Sequence, residues 1–306
     1  MKQLVILSGK GGTGKTTVTA AMAELAARDL SVVLADADVD AANLHLLLSP
    51  TRQEQHIFAS GQVAVIGKEE CAGCGSCEVV CRFDAVLPPA DGREIAFRVD
   101  ATACEGCAAC FYMCPSEAVR METQLAGHWF LSDTRFGPLV HAHLKAGGEN
   151  SGKLVTLVRQ QAKELAESPE RSLVLVDGPP GVGCPVISAL SGVDLALMVA
   201  EPTVSGVHDL QRAMGTAKHF GVETVVVINK TDINPSMACS IEELCRAQGV
   251  EVVGKIPYDP VVTEAMVQGE PVTSYSNGNS GELLSVLSSI WSETKKRLFA
   301  NEAISV

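Results

Sequence analysis

Aromatic residues are scarce: eight Phe, three Tyr and two Trp make up 4% of the 306 residues. The core must therefore be filled by aliphatic side chains and alanine, and a hydrophobic content of 46% supplies them. Positive charge is also short. The 24 Lys and Arg face 36 Asp and Glu, a formal charge of −12. Backbone-driven nucleic-acid binding depends on a basic face, so no nucleic-acid partner is expected. No apolar run is long enough to cross a bilayer; "DLALMVA" at 194–200 is far too short. No secretory leader precedes the first strand-like run, "LVIL". A cytoplasmic protein without a membrane partner is the expectation. Cysteine, by contrast, is plentiful. Eleven cysteines in such a chain point to metal ligation or redox chemistry rather than disulfides.

Short runs rich in Val, Leu and Ile recur at 4–7, 32–35, 173–176, 195–199, 225–228 and 252–256. They lack strict alternation, as parallel strands covered on both faces do. Helical patterns fall between several of them. Val18, Met22 and Leu25 share one face, as do Val207, Leu210, Met214 and Ala217. The rhythm predicts an α/β fold with a doubly wound, mostly parallel sheet. It breaks over a cysteine-rich stretch and resumes near Leu154. The expected organisation is a discontinuous α/β domain, 1–60 and 123–306, with a small domain inserted at 61–122.

"GKGGTGKT", Gly9 to Thr16, fits G-x-x-x-x-G-K-[ST] and lies between a strand and a helix. The backbone amides of Gly9, Lys10, Gly11, Gly12, Thr13 and Gly14 can curl around phosphate oxygens, assisted by the helix N-terminus. Lys15 is expected to reach the β- and γ-phosphates and Thr16 to bind Mg²⁺, with Thr17 beside them. The additional Lys10 makes the loop resemble the deviant Walker motif of the MinD/ParA family of P-loop ATPases. That resemblance implies a P-loop NTPase fold of the SIMIBI, MinD type, ATP and Mg²⁺ as ligands, and slow hydrolysis. It also implies a homodimer, or a heterodimer with a related ATPase, across which Lys10 reaches the partner's nucleotide. "VLADADVDAANL" resembles the first switch of the family, with Asp38 orienting the attacking water and Asp36 supporting the metal shell. "LVLVDGPPG" resembles the second, with Asp177 holding Mg²⁺ through water. "VVVINK" and "IPYD" resemble the adenine-side segments, so that Asn229 would bond the base and Pro257 would contact it through its backbone. A plain loop lysine at Lys10 and a strand-end turn residue at Asn229 are the competing readings.

"CAGCGSCEVVC" and "CEGCAACFYMCP" both read C-x₂-C-x₂-C-x₃-C. They resemble the ligand runs of bacterial ferredoxins, in which the fourth cysteine of each run serves the other cluster. The resemblance implies two [4Fe–4S] clusters in a small α+β ferredoxin-like insert. One would be held by Cys71, Cys74, Cys77 and Cys114, the other by Cys81, Cys104, Cys107 and Cys110. Structural zinc is the competing reading, but zinc favours paired C-x₂-C units rather than a duplicated three-plus-one pattern. The first run lacks the usual following proline, having Arg82 there.

Cys239 and Cys245 read as packing residues, and Cys184 as a small buried residue with a redox-sensitive thiol or transient cluster ligand as the competing reading; His141 and His143, alternating as on a strand, read as structural histidines with a metal-binding pair as the competing reading. "GELLSVLSSIWSETKKRLF" reads as a core-packing helix rather than a membrane-binding one. Over nearly its full length, including "ENSGKLV", "EPTVSGVHDL" and "INKTDIN", the chain resembles MinD-like ATPases carrying a two-cluster insert. Three functions follow from the resemblance. The first is ATP-gated electron transfer to a redox partner. The second is delivery of clusters or a metal cofactor to an acceptor protein. The third is a MinD-like positioning switch with the clusters as redox sensor.

Overall fold

The computed structural model describes residues 1–89, 95–145, 151–167, 172–276 and 281–300. In chain order the first elements are β1 (Lys2–Ser8), α1 (Lys15–Ala27), β2 (Val32–Asp36), α2 (Leu44–Leu48), β3 (Arg52–Ile66), α3 (Ser76–Val80), β4 (Val86–Leu87), β5 (Arg98–Val99), α4 (Ala109–Met113), β6 (Val119–Thr134) and β7 (Gly137–Leu144). There follow α5 (Ser151–Ala166), β8 (Leu173–Pro180), α6 (Cys184–Leu190), β9 (Leu195–Ala200), α7 (Val204–His219), β10 (Glu223–Asn229), α8 (Pro235–Gln248), β11 (Glu251–Ile256), α9 (Val261–Val267) and α10 (Gly281–Leu298). Glu149 and Asn150 of "ENSGKLV" lie outside the described residues.

The chain divides into two compact units. The first comprises Met1–His56, Trp129–His143 and Ser151–Val306, the second Ile57–His128 and Leu144–Asn150. The expected borders at 60 and 122 instead fall inside β3 and β6, two long strands that a reading focused on the cysteines passed over. β6 shows only weak alternation of burial along its length, so its period is faint in the sequence.

The first unit is built on a sheet ordered β11-β10-β9-β1-β8-β2-β7, extended by the parts of β6 and β3 that belong to this unit. β1 pairs in parallel with β8 and β9, and β2 with β8 and β7. Neighbouring parallel strands require crossovers, and helices supply them, which covers both faces and explains the continuous apolar runs. Leu4, Val5 and Ile6 on β1 and Leu173, Val174, Leu175 and Val176 on β8 are all fully buried. α1 is buried on most of its circumference, Ala20, Ala21, Ala23 and Ala26 included; alanine lets it lie close to the sheet. Val207 on α7 is only half-buried, and Ala213 joins Leu210, Met214 and Ala217 on the packed face.

α10 buries Leu283, Leu287, Ile290, Trp291 and Leu298 in the main core. Its basic end pairs inward: Lys295 with Asp29, and Arg297 with Glu223 and Glu251. The apolar face proposed for this helix from sequence is thus spent on the core. Among the described residues no helix is long and apolar enough to cross a membrane.

The second unit contains a structural duplication. The cysteine runs repeat at an interval of 33 residues, from Cys71 to Cys104. Backbone conformation repeats with them. Gly73 and Gly106 have φ of 69° and 63°, Gly75 and Ala108 75° and 61°, and Asp84 and Glu117 52° and 53°. α3 and α4 are each five residues long and each ends at a cysteine, Cys81 or Cys114, in extended conformation. Cys77 and Cys110 are buried with Ala64, Val86, Phe97 and Val119 in a core of their own.

Candidate functional site

In the first unit, β1 ends at Ser8, whose hydroxyl donates to the Lys10 carbonyl at 2.8 Å and helps turn the following loop. Gly14 closes the loop at φ 91°, and a Cβ there would lie 2.3 Å from Asn229 Nδ2. The position excludes side chains on both counts. α1 begins at Lys15, so the loop delivers its amides to a helix N-terminus.

Beside it opens a cavity of about 810 Å³. Gly12, Gly14, Lys15, Thr16, Asn229, Pro257 and Tyr258 are among its lining residues, so the phosphate loop opens onto a pocket with room for a nucleotide-sized ligand. Lys15 Nζ lies 2.9 Å from Asp177 Oδ1 and 3.3 Å from Asp38 Oδ2. Burial opposes the charge on Lys15, but Asp177 and Asp38 outweigh it and raise its pKa. Asp177 is fully buried and also accepts from Thr16 Oγ1 at 2.8 Å and Thr19 Oγ1 at 2.8 Å. The Thr16 hydroxyl and the Asp177 carboxylate are therefore adjacent oxygen donors, a fit for Mg²⁺ completed by phosphate and water.

Asp36, expected to support the metal shell, ends β2 beside Asp177 of β8. Its two oxygens accept from the backbone amides of Asp38, at 3.2 Å, and Leu44, at 3.0 Å. Complete burial, and then the Asp177 charge, push its pKa up to about 8. It braces the segment between β2 and α2. Asp38 lines the cavity and faces Lys15; burial raises its pKa, with Lys15 opposing.

Lys10 does not share the Lys15 environment. Its Nζ lies 3.0 Å from Glu201 Oε2 and donates to Thr203 Oγ1 at 3.1 Å and Ser205 Oγ at 3.3 Å. Glu201 also takes Lys230 Nζ at 2.8 Å. Burial works against the Glu201 charge, but hydrogen bonds from Lys230 and Lys10 overcome it and lower its pKa. Sequence reasoning missed Glu201; an acid at the end of β9, opening "EPTVSG", was the available signal. Asn229 donates from Nδ2 to the Thr13 carbonyl at 2.7 Å and accepts from the Lys230 amide. Its amide ties β10 to the phosphate loop at the cavity wall. Asp232 accepts from the Tyr258 amide at 2.6 Å and fixes the turn after Pro257.

Several side readings change. Cys184 and Cys239, taken as packing residues, are exposed, whereas Cys245 is buried and its thiol is pushed up to about 11 by burial and Glu242. Cys184 opens α6, and Cys239 lies on the outer side of α8. His141 is buried, stacked between His45 and Phe130, with Nε2 3.0 Å from Ser132 Oγ. Burial, and then His45, lower its pKa to about 4, so it packs as a neutral ring. His143 is exposed.

In the second unit all eight run cysteines are free thiols, as are the other three of the chain. A small cavity of about 20 Å³ is lined by Cys104, Cys107 and Cys110 from one run and Cys81 from the other. Elsewhere in the unit Cys74 neighbours Cys114, and Cys77 neighbours both Cys71 and Cys110 of the other run. The Cys74 thiol donates to Ser76 Oγ at 3.4 Å, Cys114 Sγ lies 3.6 Å from Ser116 Oγ, and the Ala118 amide donates to Cys114 Sγ at 3.3 Å. Among the described residues no three His, Cys, Asp or Glu side chains converge as for a single metal ion. Three thiols of one run and one of the other around the small cavity are a donor set of the kind that iron–sulfur groups take.

The loop, the cavity and the parallel sheet define a P-loop nucleotide-binding protein. The family model for the CobQ/CobB/MinD/ParA nucleotide-binding domain matches residues 4–272, and the chain belongs to that family. It is a MinD/ParA-type nucleotide-binding ATPase. The uncharacterised protein MJ0578 of Methanocaldococcus jannaschii is 35% identical over 232 residues, 76% of this chain and 79% of that one. The septum site-determining protein MinD of Escherichia coli K12 is 25% identical, covering 98% of this chain and 91% of its own. Among solved structures, MinD of Pyrococcus horikoshii in complex with Mg-ADP aligns over 100% of this chain and 99% of its own, with a TM-score of 0.57 and 18% identity. That likeness is one of fold.

Proposed function

We propose that this ATPase is a MinD-like nucleotide switch whose cysteine-rich unit holds two [4Fe–4S] clusters as its redox-sensitive element. The observation that carries the cluster assignment is the cavity lined by Cys104, Cys107 and Cys110 of one run and Cys81 of the other. The reciprocal set, Cys71, Cys74, Cys77 and Cys114, follows from the duplication. Bound there, the clusters supply one-electron exchange. Relatives such as the Chlorella vulgaris and Escherichia coli K12 proteins bear the name MinD, which supports the switch.

The chemistry of the switch is transfer of the γ-phosphoryl group of ATP to water. Lys15, now held by Asp177 and Asp38, turns its charge to the phosphates. Thr16 and Asp177 would hold the magnesium ion, which would supply charge neutralisation on the phosphates. Asp38, once Lys15 leaves it, accepts a hydrogen bond from the attacking water and orients it. Asn229 holds the loop, and Pro257 and Tyr258 flank the base. Lys10 acts across a dimer of this chain, or of this chain and a related ATPase.

A second reading, ATP-gated electron transfer, has its own support. Val79, Phe111, Tyr112 and Met113 on α3 and α4 are exposed apolar side chains beside the cluster ligands, where a redox partner could approach closely. Delivery of clusters to an acceptor is the third outcome of the same experiment. The anaerobically purified protein is reduced, mixed with ATP and candidate acceptors, and followed by cluster absorbance and iron content. The switch reading expects ATP-dependent association with both absorbance and iron unchanged. Oxidation with iron retained would replace it by electron transfer, and loss of iron by delivery.

A further inference from the structure

The repeat allows the surroundings of the two cysteine sets to be compared position by position. Solvent exposure does not separate them: Cys74 and Cys107 are both exposed, Cys77 and Cys110 both buried. The left-handed backbone positions recur in register, although the Ala118 amide also donates to Cys114 Sγ at 3.3 Å in the first set. What differs is a pair of side chains. Ser76 stands where the second run has Ala109, and Ser116 stands where the first run is followed by Phe83. Ser76 contacts Cys74 and Ser116 contacts Cys114, so both hydroxyls serve the same set of four. Both apolar counterparts, Ala109 and Phe83, line the cavity of the other set, together with Ala64, Val86 and Met121.

Reduction adds one negative charge to an iron–sulfur group, and that charge falls partly on its sulfurs. Hydrogen-bond donors to those sulfurs stabilise the reduced form, whereas an apolar wall stabilises it less. Once the thiols are iron-bound thiolates they have no proton to give, and the serine hydroxyls become the donors. On the reading that these cysteines hold two clusters, we propose that Ser76 and Ser116 make the two sites unequal. The Cys71, Cys74, Cys77 and Cys114 site has the more positive reduction potential, and the site in the apolar cavity the more negative. A single electron from a one-electron donor therefore resides at the first site, and only a second one enters the cavity site.

The test is a redox titration of the reconstituted full chain followed by electron paramagnetic resonance. Two one-electron steps at separate potentials are expected. Ser76→Ala with Ser116→Ala moves the upper step down towards the lower and leaves the lower in place. Ala109→Ser moves the lower step up, and serves should the double variant fail to take up iron. Steps that do not move in iron-replete variants, or a serine removal that moves the lower step, would overturn the proposal while leaving two clusters in place. Wild-type protein that binds no iron would instead remove the reading on which it rests.

Discussion

Lys15 sits between two carboxylates in a pocket that leaves it 6% exposed. Replacing it with Ala leaves Asp177 buried without its cation. We expect a stability loss of about 3–5 kcal/mol in chemical denaturation, and a fall in phosphate release of at least ~100-fold, with the iron content unchanged. A second expectation concerns Asp36. Its pKa of about 8 in the folded chain lies above the ordinary carboxylate value of 3.8. The folded state therefore binds the extra proton between these limits, and stability falls as pH rises through that window. Asp36→Asn removes this dependence, so urea midpoints of variant and wild type should converge or cross as pH rises from 4 to 8; parallel profiles would show that Asp36 is ionised throughout. The residues of the phosphate loop, Asp38 and Asp177 were legible because each follows an apolar strand within a fixed spacing. Glu201 was not, because its meeting with Lys10 is made by the adjacency of β1 and β9 and leaves no local pattern. The backbone bonds of Asp36 were hidden for the same kind of reason: the motif names a carboxylate but not what it accepts.

At the scale of elements, six of the seven parallel strands, β7 being the exception, were read to within a few residues, since burial on both faces writes itself as an unbroken aliphatic run. β3 and β6 were not read as strands, and β7 only through the alternation of His141 and His143. Polar and apolar residues mix along them, and the cysteine spacing nearby carried the stronger signal. α10 was read correctly as a core helix, and its packing explains Gly254 on β11. A Cβ at Gly254 would lie 2.2 Å from Ile290 Cγ1. Gly254→Ala should destabilise the protein by about 1–3 kcal/mol through overpacking, seen as a lower thermal midpoint. With Ile290→Ala, which removes Cγ1 and Cδ1, the two losses should combine to less than their sum; strict additivity would place the strain elsewhere. The internal repeat was visible as cysteine spacing, whereas its left-handed positions at Ala108, Asp84 and Glu117 were not, because these residue types only rarely adopt positive φ.

At the scale of the molecule, Glu201 holds Lys10 and Lys230 at once and so keeps Lys10 within its own subunit. If Lys10 acts across a dimer, Glu201→Gln should lower the protein concentration at which ATP produces dimers in sedimentation. An unchanged concentration dependence would show that the Glu201 contact does not restrain assembly. The chain passes from Asp38 through α2 and β3 into the cysteine-rich unit, so the proposed switch and the proposed cluster ligands share one covalent connection. The proposed function requires that the two ligand states bias one another, and such coupling is reciprocal. The most direct measurement is the affinity for ATP of the same iron-loaded preparation, first oxidised and then reduced. The account expects two different dissociation constants, their ratio matched by the shift that ATP produces in the cluster potentials. Equal affinities in both states would contradict it.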